Sequence, residues 1–322
     1  MFETVKMLGT VSRAEFLLPN LGSLIMGLAW GVMPPIRVDD LVVLTVLSFA
    51  IINLSSAIGA QANTLFDREL DSKDDRKKQL VEAMTSFGAN RLKELLTIEF
   101  ALTLILVFLF MLIQQKPILL LMWIVGISLG YFYSAPPFRI KSRSWLAPVT
   151  LILVLAIFPV LFAYYTFTSE MNPFFLLSLT GLALTVYGVI IPTEIRDYFG
   201  DKAMGIETMT VRLGLARASF LGIVLLTAGA ILSGTAFLLE WAYEQRPLLS
   251  VFLLAIPVAV FIVLRKIKRL YSLSKEQVAS KNSRSVEQEI VSLSAQNPQW
   301  IMLVTQTYSL MSIILFTSKF LL

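Results

Sequence analysis

Nine long apolar runs, joined by polar connections, dominate the hydrophobic pattern of the chain. Each run approaches the roughly 20 residues that an α-helix needs to cross a bilayer. Helices are the predicted form, because a bilayer offers no water to hydrogen-bond an open backbone. The pattern therefore predicts an all-α integral membrane protein with nine transmembrane helices. The predicted spans are approximately 16–32, 41–62, 95–113, 118–132, 146–167, 173–192, 216–238, 248–264 and 300–320.

The distribution of basic residues predicts the orientation of these helices. Cytoplasmic loops of membrane proteins are enriched in Lys and Arg. With the N-terminus in the cytoplasm, 23 of the 27 basic residues fall on the cytoplasmic side, and the other four are Arg37, Lys116, Arg246 and Lys319. We therefore expect a multi-pass protein of the cell (plasma) membrane, with its long charged loops and its active site on the cytoplasmic side.

Composition supports a membrane protein and narrows its possible chemistry. Of the 322 residues, 56% are hydrophobic and 15% are charged. In soluble domains, about 45–50% of the residues are apolar and about 25% are charged. Cysteine and histidine are both absent, which excludes disulfides, thiolate metal sites and imidazole acid–base catalysis. Chemistry must therefore use carboxylates, Lys, Arg, Tyr, Ser, Asn and bound metal. Residues 1–9 lack a cleaved-signal pattern, and no nucleic-acid partner is expected.

A faint internal repeat is consistent with a single polytopic membrane domain over residues 1–322. Spans two and six each run into an acidic cluster, and spans four and eight each run into a basic segment with a Tyr-Ser pair. The repeat halves are approximately 12–145 and 146–272, followed by a final helix at 300–320. Binding sites in duplicated membrane proteins tend to lie between the halves.

The first acidic cluster follows the second span. Asn63, Asp67 and Asp71 are spaced four and four, which places three oxygen-bearing side chains on one face of a helix, and Asp75 would continue the row. Carboxylates at the end of an apolar helix are costly unless cations neutralise them. Mg²⁺ prefers oxygen ligands and commonly binds together with substrate phosphates, so this row predicts a Mg²⁺–phosphate site.

The second acidic cluster follows the sixth span. Glu194, Asp197 and Asp201 are spaced three and four, again on one helical face. Two opposed acidic rows would hold two or more Mg²⁺ ions with a diphosphate between them, which stabilises charge on a leaving phosphate oxygen. The simpler alternative is that these carboxylates only solvate their loops and pair with nearby basic residues.

A third element, after the fourth span, carries basic residues on a stiff loop. Two prolines follow Tyr133 and Ser134 and should end the helix, so Arg139 and Lys141 are expected on an ordered segment. Both side chains are suited to phosphate. The alternatives are that the two cations only anchor the topology and that Tyr133 is an aromatic residue of the membrane interface.

Other charged positions are interpreted more simply. Asp74, Asp75 and Glu82 are interleaved with basic residues and fit a solvated charged helix; those basic residues are Arg76, Lys77 and Lys78. For Glu207 two interpretations stay open: a residue of the acidic site and a solvated loop carboxylate. The basic stretch at 265–269 is predicted to be a topology anchor or a contact with anionic lipid.

Taken together, the motifs resemble those of the UbiA superfamily of intramembrane prenyltransferases. The three motifs are Asn63-x₃-Asp67-x₃-Asp71, Tyr133-Ser134-x-Pro-Pro-x-Arg139-x-Lys141 and Asp197-x₃-Asp201. They occur in this order after spans two, four and six. The resemblance implies a ring of nine helices around a central cavity, with a cytoplasmic cap of loops and short helices.

The resemblance also implies a reaction and a site. Members of the family transfer a prenyl group from a prenyl diphosphate to an acceptor, often aromatic or a quinone precursor, and require Mg²⁺. The implied metal ligands are Asn63, Asp67, Asp71, Asp197 and Asp201, of which the four aspartates are also catalytic. Tyr133 would lie near the reacting centre, and the implied substrate-binding residues are Asn63, Arg68, Arg139, Lys141 and Glu194.

Departures from the family pattern leave the acceptor open. Many members have Asn-Asp where this chain has Asn63-Thr64, and many follow the first motif with an Arg-Pro run where this chain has 74–80. The acceptor is expected to be small and lipophilic or aromatic, with a glycerol-phosphate lipid as an alternative. Two non-enzymatic alternatives are a cation-coupled transporter and a structural membrane subunit. The nearly charge-free spans disfavour a transporter, whose ion sites usually lie at the midplane.

Overall fold

Helices make up nearly all of the structure, a computed structural model that describes residues 2–72, 77–280 and 283–321, with backbone alone at 2–5, 70 and 321. Within these residues the β pairing is limited to an isolated parallel bridge between Ser144 and Thr208. The α-helices are α1 (Phe2–Val11), α2 (Leu17–Gly31), α3 (Val38–Phe66), α4 (Arg68–Asp71), α5 (Lys78–Phe87), α6 (Ala89–Gln114), α7 (Pro117–Ser134), α8 (Leu146–Ile152), α9 (Phe158–Phe167), α10 (Pro173–Ala203), α11 (Met209–Leu213), α12 (Leu215–Tyr243), α13 (Ala255–Ala279), α14 (Arg284–Ser294) and α15 (Asn297–Leu321).

Eight helical segments in the described part of the chain are long and apolar enough to cross a membrane. They confirm the prediction of an all-helical membrane protein. All nine predicted spans are helical, but α2 has 15 residues, fewer than the roughly 20 that cross a bilayer unaided. The ninth crossing therefore stays a prediction. A five-residue π-helical segment, Leu153–Ile157, joins α8 to α9 within one span.

The helices extend beyond the apolar runs that predicted them. Helix α10 continues past Pro192 to Ala203, and α3 continues to Phe66. The hydrophobic pattern marks the part of a helix suited to the bilayer, whereas the helix itself ends where capping or a turn stops it. Both extensions matter for function, because that of α10 carries the acidic residues of the second motif and that of α3 carries Asn63 and leads directly to Asp67.

The chain divides into two compact units. One consists of the chain up to Lys141 together with Leu161–Phe167, and the other consists of Ser142–Val160 and Thr168–Leu322. In the first unit, an apolar core forms between α3, α6, α7 and the end of α9; it includes Ile51, Ile58, Phe110, Trp123 and Phe162. The prediction of a single domain with an internal repeat is not tested by this division.

Short helices pack at the charged end of the first unit. Val11 on α1, Met84 on α5 and Leu92 on α6 form a buried apolar cluster. The Oγ1 of Thr64 donates to the carbonyl of Val11, 3.3 Å away, which ties α1 to the end of α3. These contacts hold α1 and α5 beside the segment that carries the first acidic motif.

Glycines allow α10 and α12 to pack closely in the second unit. A Cβ added at Gly229 would lie 2.5 Å from the carbonyl oxygen of Gly181 and 2.7 Å from the amide nitrogen of Thr185. Gly181 and Gly188 make equally close approaches from α10. Small residues at such positions let helix backbones touch inside a membrane. The α10–α12 pair thus provides a rigid support for the second acidic motif.

We predict that Gly229→Ala destabilises the protein by about 1–3 kcal/mol, because the methyl group would overlap backbone atoms that have no room to move. Gly234→Ala is the matched control on the same helix, since nothing lies within 4 Å of a Cβ added there. Thermal unfolding of the detergent-solubilised protein would show the difference. Equal melting temperatures for the two variants would contradict the close-packing interpretation.

Candidate functional site

The first acidic motif lies at the end of α3 and is buried. Asp67 follows the last residue of α3, and α4 begins directly after it and ends at Asp71. The prediction of one uninterrupted helix was wrong, because the backbone leaves α-helical geometry at Asp67, where φ is −100° and ψ is 4°. The amides of Asp67 and Asp71 still bond four residues back. Both carboxylates are only 3% exposed.

Neutral donors hold one oxygen of the Asp67 carboxylate. Its Oδ2 accepts a hydrogen bond from Asn63 Nδ2 at 2.9 Å and another from Ser134 Oγ at 3.1 Å. Asn63 Nδ2 also donates to Ser134 Oγ at 2.8 Å. The three side chains form a closed triangle between α3 and α7. This triangle fixes the rotation of the carboxylate and leaves its second oxygen turned to other partners.

Cations face the second oxygen of Asp67. Lys141 Nζ makes an ion pair with Oδ1, and Arg139 Nη2 lies 3.7 Å from the same atom. Buried Oδ1 accepts no hydrogen bond among the described residues, so charge is its main compensation. The basic loop and the first acidic motif are thus in contact at Asp67.

The geometry of the basic loop explains how both cations reach Asp67. Helix α7 ends at Ser134, and Ala135 is extended, as expected before Pro136. Arg139 has a φ of 40°, a left-handed conformation that non-glycine residues rarely adopt. The chain then enters a short 3₁₀ turn that carries Lys141. Lys141 is mostly buried, with 17% of its side chain exposed, whereas Arg139 is 50% exposed.

Asp71 has its own cationic partner. Lys77 Nζ lies 2.5 Å from Asp71 Oδ1. Lys77, one of the basic residues interleaved with the acidic residues interpreted as solvated, thus neutralises a buried carboxylate. Glu82 is exposed, as expected, whereas Asp74, Asp75 and Arg76 lie outside the described residues.

The second acidic motif lies on the last three turns of α10. Glu194, Asp197 and Asp201 share one helix, as predicted. Glu194 accepts hydrogen bonds from Thr210 Oγ1 at 2.6 Å and from the hydroxyl of Tyr187 at 3.2 Å. Those two partners tie Glu194 into the fold, and Glu194 therefore has a structural role besides the predicted one.

Asp197 and Asp201 are more accessible than the aspartates of the first motif. Asp197 pairs with the neighbouring Arg196, whose Nε lies 3.0 Å from Oδ1, and 30% of the Asp197 side chain is exposed. Asp201 is partly exposed one turn later. After α10 the backbone turns at Gly205, where φ is 68°, and Thr208 caps the following helix α11. Glu207 is exposed on this turn.

Some predicted residues are not brought into these contacts. Arg68 is exposed on α4, and the ion pairs found among the described residues of the first motif do not include it. Tyr133 is half-buried on the last turn of α7, directly before Ser134. No group of three or more acidic side chains is gathered around one metal position in the described part of the chain, so the metal ligands stay a prediction.

Sequence reasoning missed several residues that support the motifs. Ser134, Lys77, Tyr187 and Thr210 contact the predicted carboxylates. Ser134 is next to Tyr133 in the quoted motif, so its position was a usable signal. Thr210 lies 16 residues from Glu194 and Tyr187 lies two turns before it, and nothing in their local sequence identifies them as partners.

Comparisons with known proteins bear on the family and the fold of the chain. A family model described as the UbiA prenyltransferase family matches residues 16–282. A UbiA homolog from Archaeoglobus fulgidus, solved bound to GPP and Mg²⁺, superposes with a TM-score of 0.61 at 19% identity, covering 93% of this chain and 99% of that one. A digeranylgeranylglyceryl phosphate synthase superposes with a TM-score of 0.62 at 15% identity, over 97% and 99%.

A curated relative matches part of the sequence. It is a probable homogentisate phytyltransferase 2, chloroplastic, from Oryza sativa subsp. japonica, with 28% identity over 146 residues. The match covers 42% of this chain and 38% of that protein, so the chain spans less than half of that relative's length. The solved structures, all below 25% identity, establish the fold.

Proposed function

The chain belongs to the UbiA prenyltransferase family and is a transferase of prenyl groups, and from this we infer that it moves a prenyl group from an allylic prenyl diphosphate to a lipophilic aromatic acceptor with Mg²⁺ as cofactor. The C–O bond to the diphosphate breaks, and the diphosphate leaves with the electron pair. A bond forms between the prenyl C1 and a carbon or oxygen atom of the acceptor, which then loses a proton to a carboxylate or to water.

The arrangement around Asp67 is the observation that carries this proposal. A buried carboxylate, a mostly buried Lys141 and Arg139 lie at the polar end of apolar helices. An isolated buried ion pair gives little net stability, which indicates a functional reason for it. A diphosphate chelated to Mg²⁺ would contact both kinds of side chain. Its oxygens would bind Lys141 and Arg139, and the metal would bind the carboxylate of Asp67.

The chain offers suitable ligands for Mg²⁺. Asp67 Oδ1 is a buried oxygen that accepts no hydrogen bond among the described residues, and Mg²⁺ is a hard cation that takes such oxygens. We propose that the metal is held by Asn63, Asp67, Asp71, Asp197 and Asp201. When bound, Mg²⁺ supplies charge stabilisation for the departing diphosphate. That the two motifs act on one diphosphate is part of the proposal, which the family's motif pattern supports.

The other residues have roles in binding the substrate. Lys141 and Arg139 would bind phosphate oxygens, with Arg68 as a further contact from the surface of α4. Glu194, held by Thr210 and Tyr187, would orient the end of α10. Tyr133 would lie near the prenyl C1. We further propose nine transmembrane helices in a ring around an apolar cavity, with the N-terminus and the motifs on the cytoplasmic side of the plasma membrane.

An aromatic acceptor is favoured by the curated relative. That protein is named for homogentisate, an aromatic acid. The alternative acceptor is a glycerol-phosphate lipid. One of the solved structures is a digeranylgeranylglyceryl phosphate synthase, but at 15% identity it supports only the fold of this chain.

A direct assay tests the proposed function. Purified protein would be incubated with geranyl diphosphate or a longer allylic donor, Mg²⁺ and homogentisate, and diphosphate and the prenylated product would be measured together. We expect equal amounts of both, and neither when EDTA replaces Mg²⁺. A product formed only from a glycerol-phosphate lipid would change the acceptor, and the absence of a product with every acceptor would contradict prenyl transfer.

We predict that Ser134→Ala weakens the apparent affinity for Mg²⁺ by about 10–100-fold. Losses of this size are typical in metalloproteins when a group that orients a metal ligand is removed. Without the hydroxyl, Asp67 Oδ2 keeps only the amide of Asn63. Mn²⁺ binding measured by electron paramagnetic resonance and the Mg²⁺ dependence of diphosphate release would both report the change. Ser134→Thr retains the hydroxyl and should recover much of the affinity.

The matched control for this prediction is Ser48→Ala. Ser48 is equally buried, and its Oγ lies 3.0 Å from Thr166 Oγ1 in the same unit, remote in sequence from every motif. We expect its metal affinity to equal that of the wild type. If Ser134→Ala bound Mn²⁺ as tightly as Ser48→Ala, Ser134 would have no part in orienting Asp67.

A further inference from the structure

Helices α12 and α13 present an aromatic pair with basic residues on the surface of the second unit. The rings of Phe220 and Tyr271 lie 5.9 Å apart, and 53% of Phe220 is exposed. The ammonium group of Lys275 lies 4.5 Å from the centre of the Tyr271 ring. None of these side chains is used in the proposed reaction.

The register of the two helices brings a second cation to the same level. Ser219 Oγ lies 3.1 Å from Ser274 Oγ, which together with the ring contact fixes α12 and α13 as antiparallel neighbours. In this register Arg217, one turn before Phe220, lies level with Lys275, one turn after Tyr271. Arg217 and Lys275 are both exposed. The two cations therefore stand one turn beyond the aromatic pair, at the charged end of both helices.

Exposed apolar residues lie in the opposite direction along the same helices. Val224 and Ile231, on the Phe220 face of α12, are 43% and 63% exposed, and Leu264, two turns before Tyr271 on α13, is half-buried. Both helices belong to segments long and apolar enough to span a bilayer. Along the helix axes the surface thus changes from aliphatic to aromatic to cationic, which is the order found from acyl chains to headgroups at a membrane interface.

Basic residues outnumber acidic residues at this surface. Helix α12 has no acidic residue before Glu240, and on the facing part of α13 the one acidic residue is Glu276, next to Lys275. Arg269 is not counted among these cations, because its Nη2 lies 2.7 Å from Glu289 Oε1 of α14. Arg217 and Lys275 therefore suit an anionic group that approaches from the bilayer.

We propose that Arg217, Phe220, Tyr271 and Lys275 form a binding site for an anionic phospholipid. The two cations would bind the phosphate of the headgroup, and the aromatic pair would pack against the glycerol region and the first acyl carbons. Basic residues near an anionic membrane surface attract anionic lipids, so a pair of them favours one lipid class. This site is separate from prenyl transfer and does not depend on the proposed substrate.

The test measures lipid binding by the full chain without substrate. Dioleoyl phosphatidylglycerol or dioleoyl phosphatidylcholine would be titrated into detergent-solubilised protein, with the melting temperature and the number of lipids retained in native mass spectrometry as readouts. We expect phosphatidylglycerol alone to raise the melting temperature of the wild type. In the Arg217→Gln/Lys275→Gln variant, at least half of that rise and one retained phosphatidylglycerol should be lost.

The matched control is Arg91→Gln/Lys93→Gln, which removes the same two residue types from α6 in the first unit. Arg91 and Lys93 are exposed and lie outside the basic stretch at 265–269, which is itself a candidate contact with anionic lipid. We expect this control to bind phosphatidylglycerol like the wild type. The proposal would be wrong if both double variants lost the lipid equally, if neither lost it, or if soluble glycerol 3-phosphate gave the same stabilisation.

Discussion

The Asp67→Asn variant is expected to lose prenyl transfer by about 10³-fold, a loss similar to that from removing one preorganised electrostatic group from an active site. The substitution keeps the shape of the side chain but removes the negative charge that faces Lys141 and Arg139. A neutral amide is a weaker Mg²⁺ ligand than a carboxylate, and it leaves the mostly buried ammonium group of Lys141 without its charged partner. The rate of diphosphate release under saturating Mg²⁺ is the measurement.

A folded but inactive Asp67→Asn protein is the outcome that supports the account. Asp40→Asn is the matched control, because the Asp40 side chain is 60% exposed and its ion pair among the described residues is a long contact of 4.0 Å with Arg37. We expect Asp40→Asn to keep full activity. Near-wild-type turnover by Asp67→Asn would exclude Asp67 from catalysis, whatever its contacts.

The second large effect is expected for Asp197→Asn and Asp201→Asn, each of which should lower prenyl transfer by about 10²-fold or more. Both aspartates lie on the last turns of α10 and are more accessible than Asp67, so their removal should disturb the fold little. The loss should therefore appear in the rate and in the Mg²⁺ requirement, with an unchanged melting temperature. Diphosphate release at several Mg²⁺ concentrations would separate these effects.

Glu207→Gln provides the control for this second motif. Glu207 is exposed on the turn after α10 and makes no contact with Glu194 among the hydrogen bonds of the described residues. Wild-type activity is expected for this variant. Full activity in both Asp197→Asn and Asp201→Asn would mean that the first motif acts alone and that the second acidic row only solvates its loop.

The sequence was sufficient to predict the helical membrane fold and the shared helix of Glu194, Asp197 and Asp201. Hydropathy alone locates the spans, because a bilayer requires about 20 apolar residues in a helix. The spacing of Asn63, Asp67 and Asp71 also survives in the structure as hydrogen bonds four residues back. The spacing of residues in the sequence predicts their contacts where the contacting residues are one helical turn apart.

Contacts between distant parts of the chain were beyond the sequence. Ser134 Oγ donates a hydrogen bond to Asp67, which is 67 residues away in the sequence. Lys141 makes its ion pair with Asp67 from a loop whose path depends on the left-handed backbone at Arg139. Lys77 is interleaved with acidic residues interpreted as solvated, but burial of Asp71 drew it into an ion pair. Likewise, the glycines that join α10 to α12 are separated by seven residues or more and act only once the two helices meet.

The affinity of a non-hydrolysable prenyl thiodiphosphate, measured with Mg²⁺ for the wild type, Asp67→Asn, Asp197→Asn and the double variant, tests the central claim most directly. If the two acidic motifs bind one metal–diphosphate group, each single change should weaken binding by about 10²-fold and the second change should add little, because groups that act as a unit are strongly non-additive. Losses that multiply to about 10⁴-fold in the double variant would mean that the motifs bind independently, and would contradict the claim.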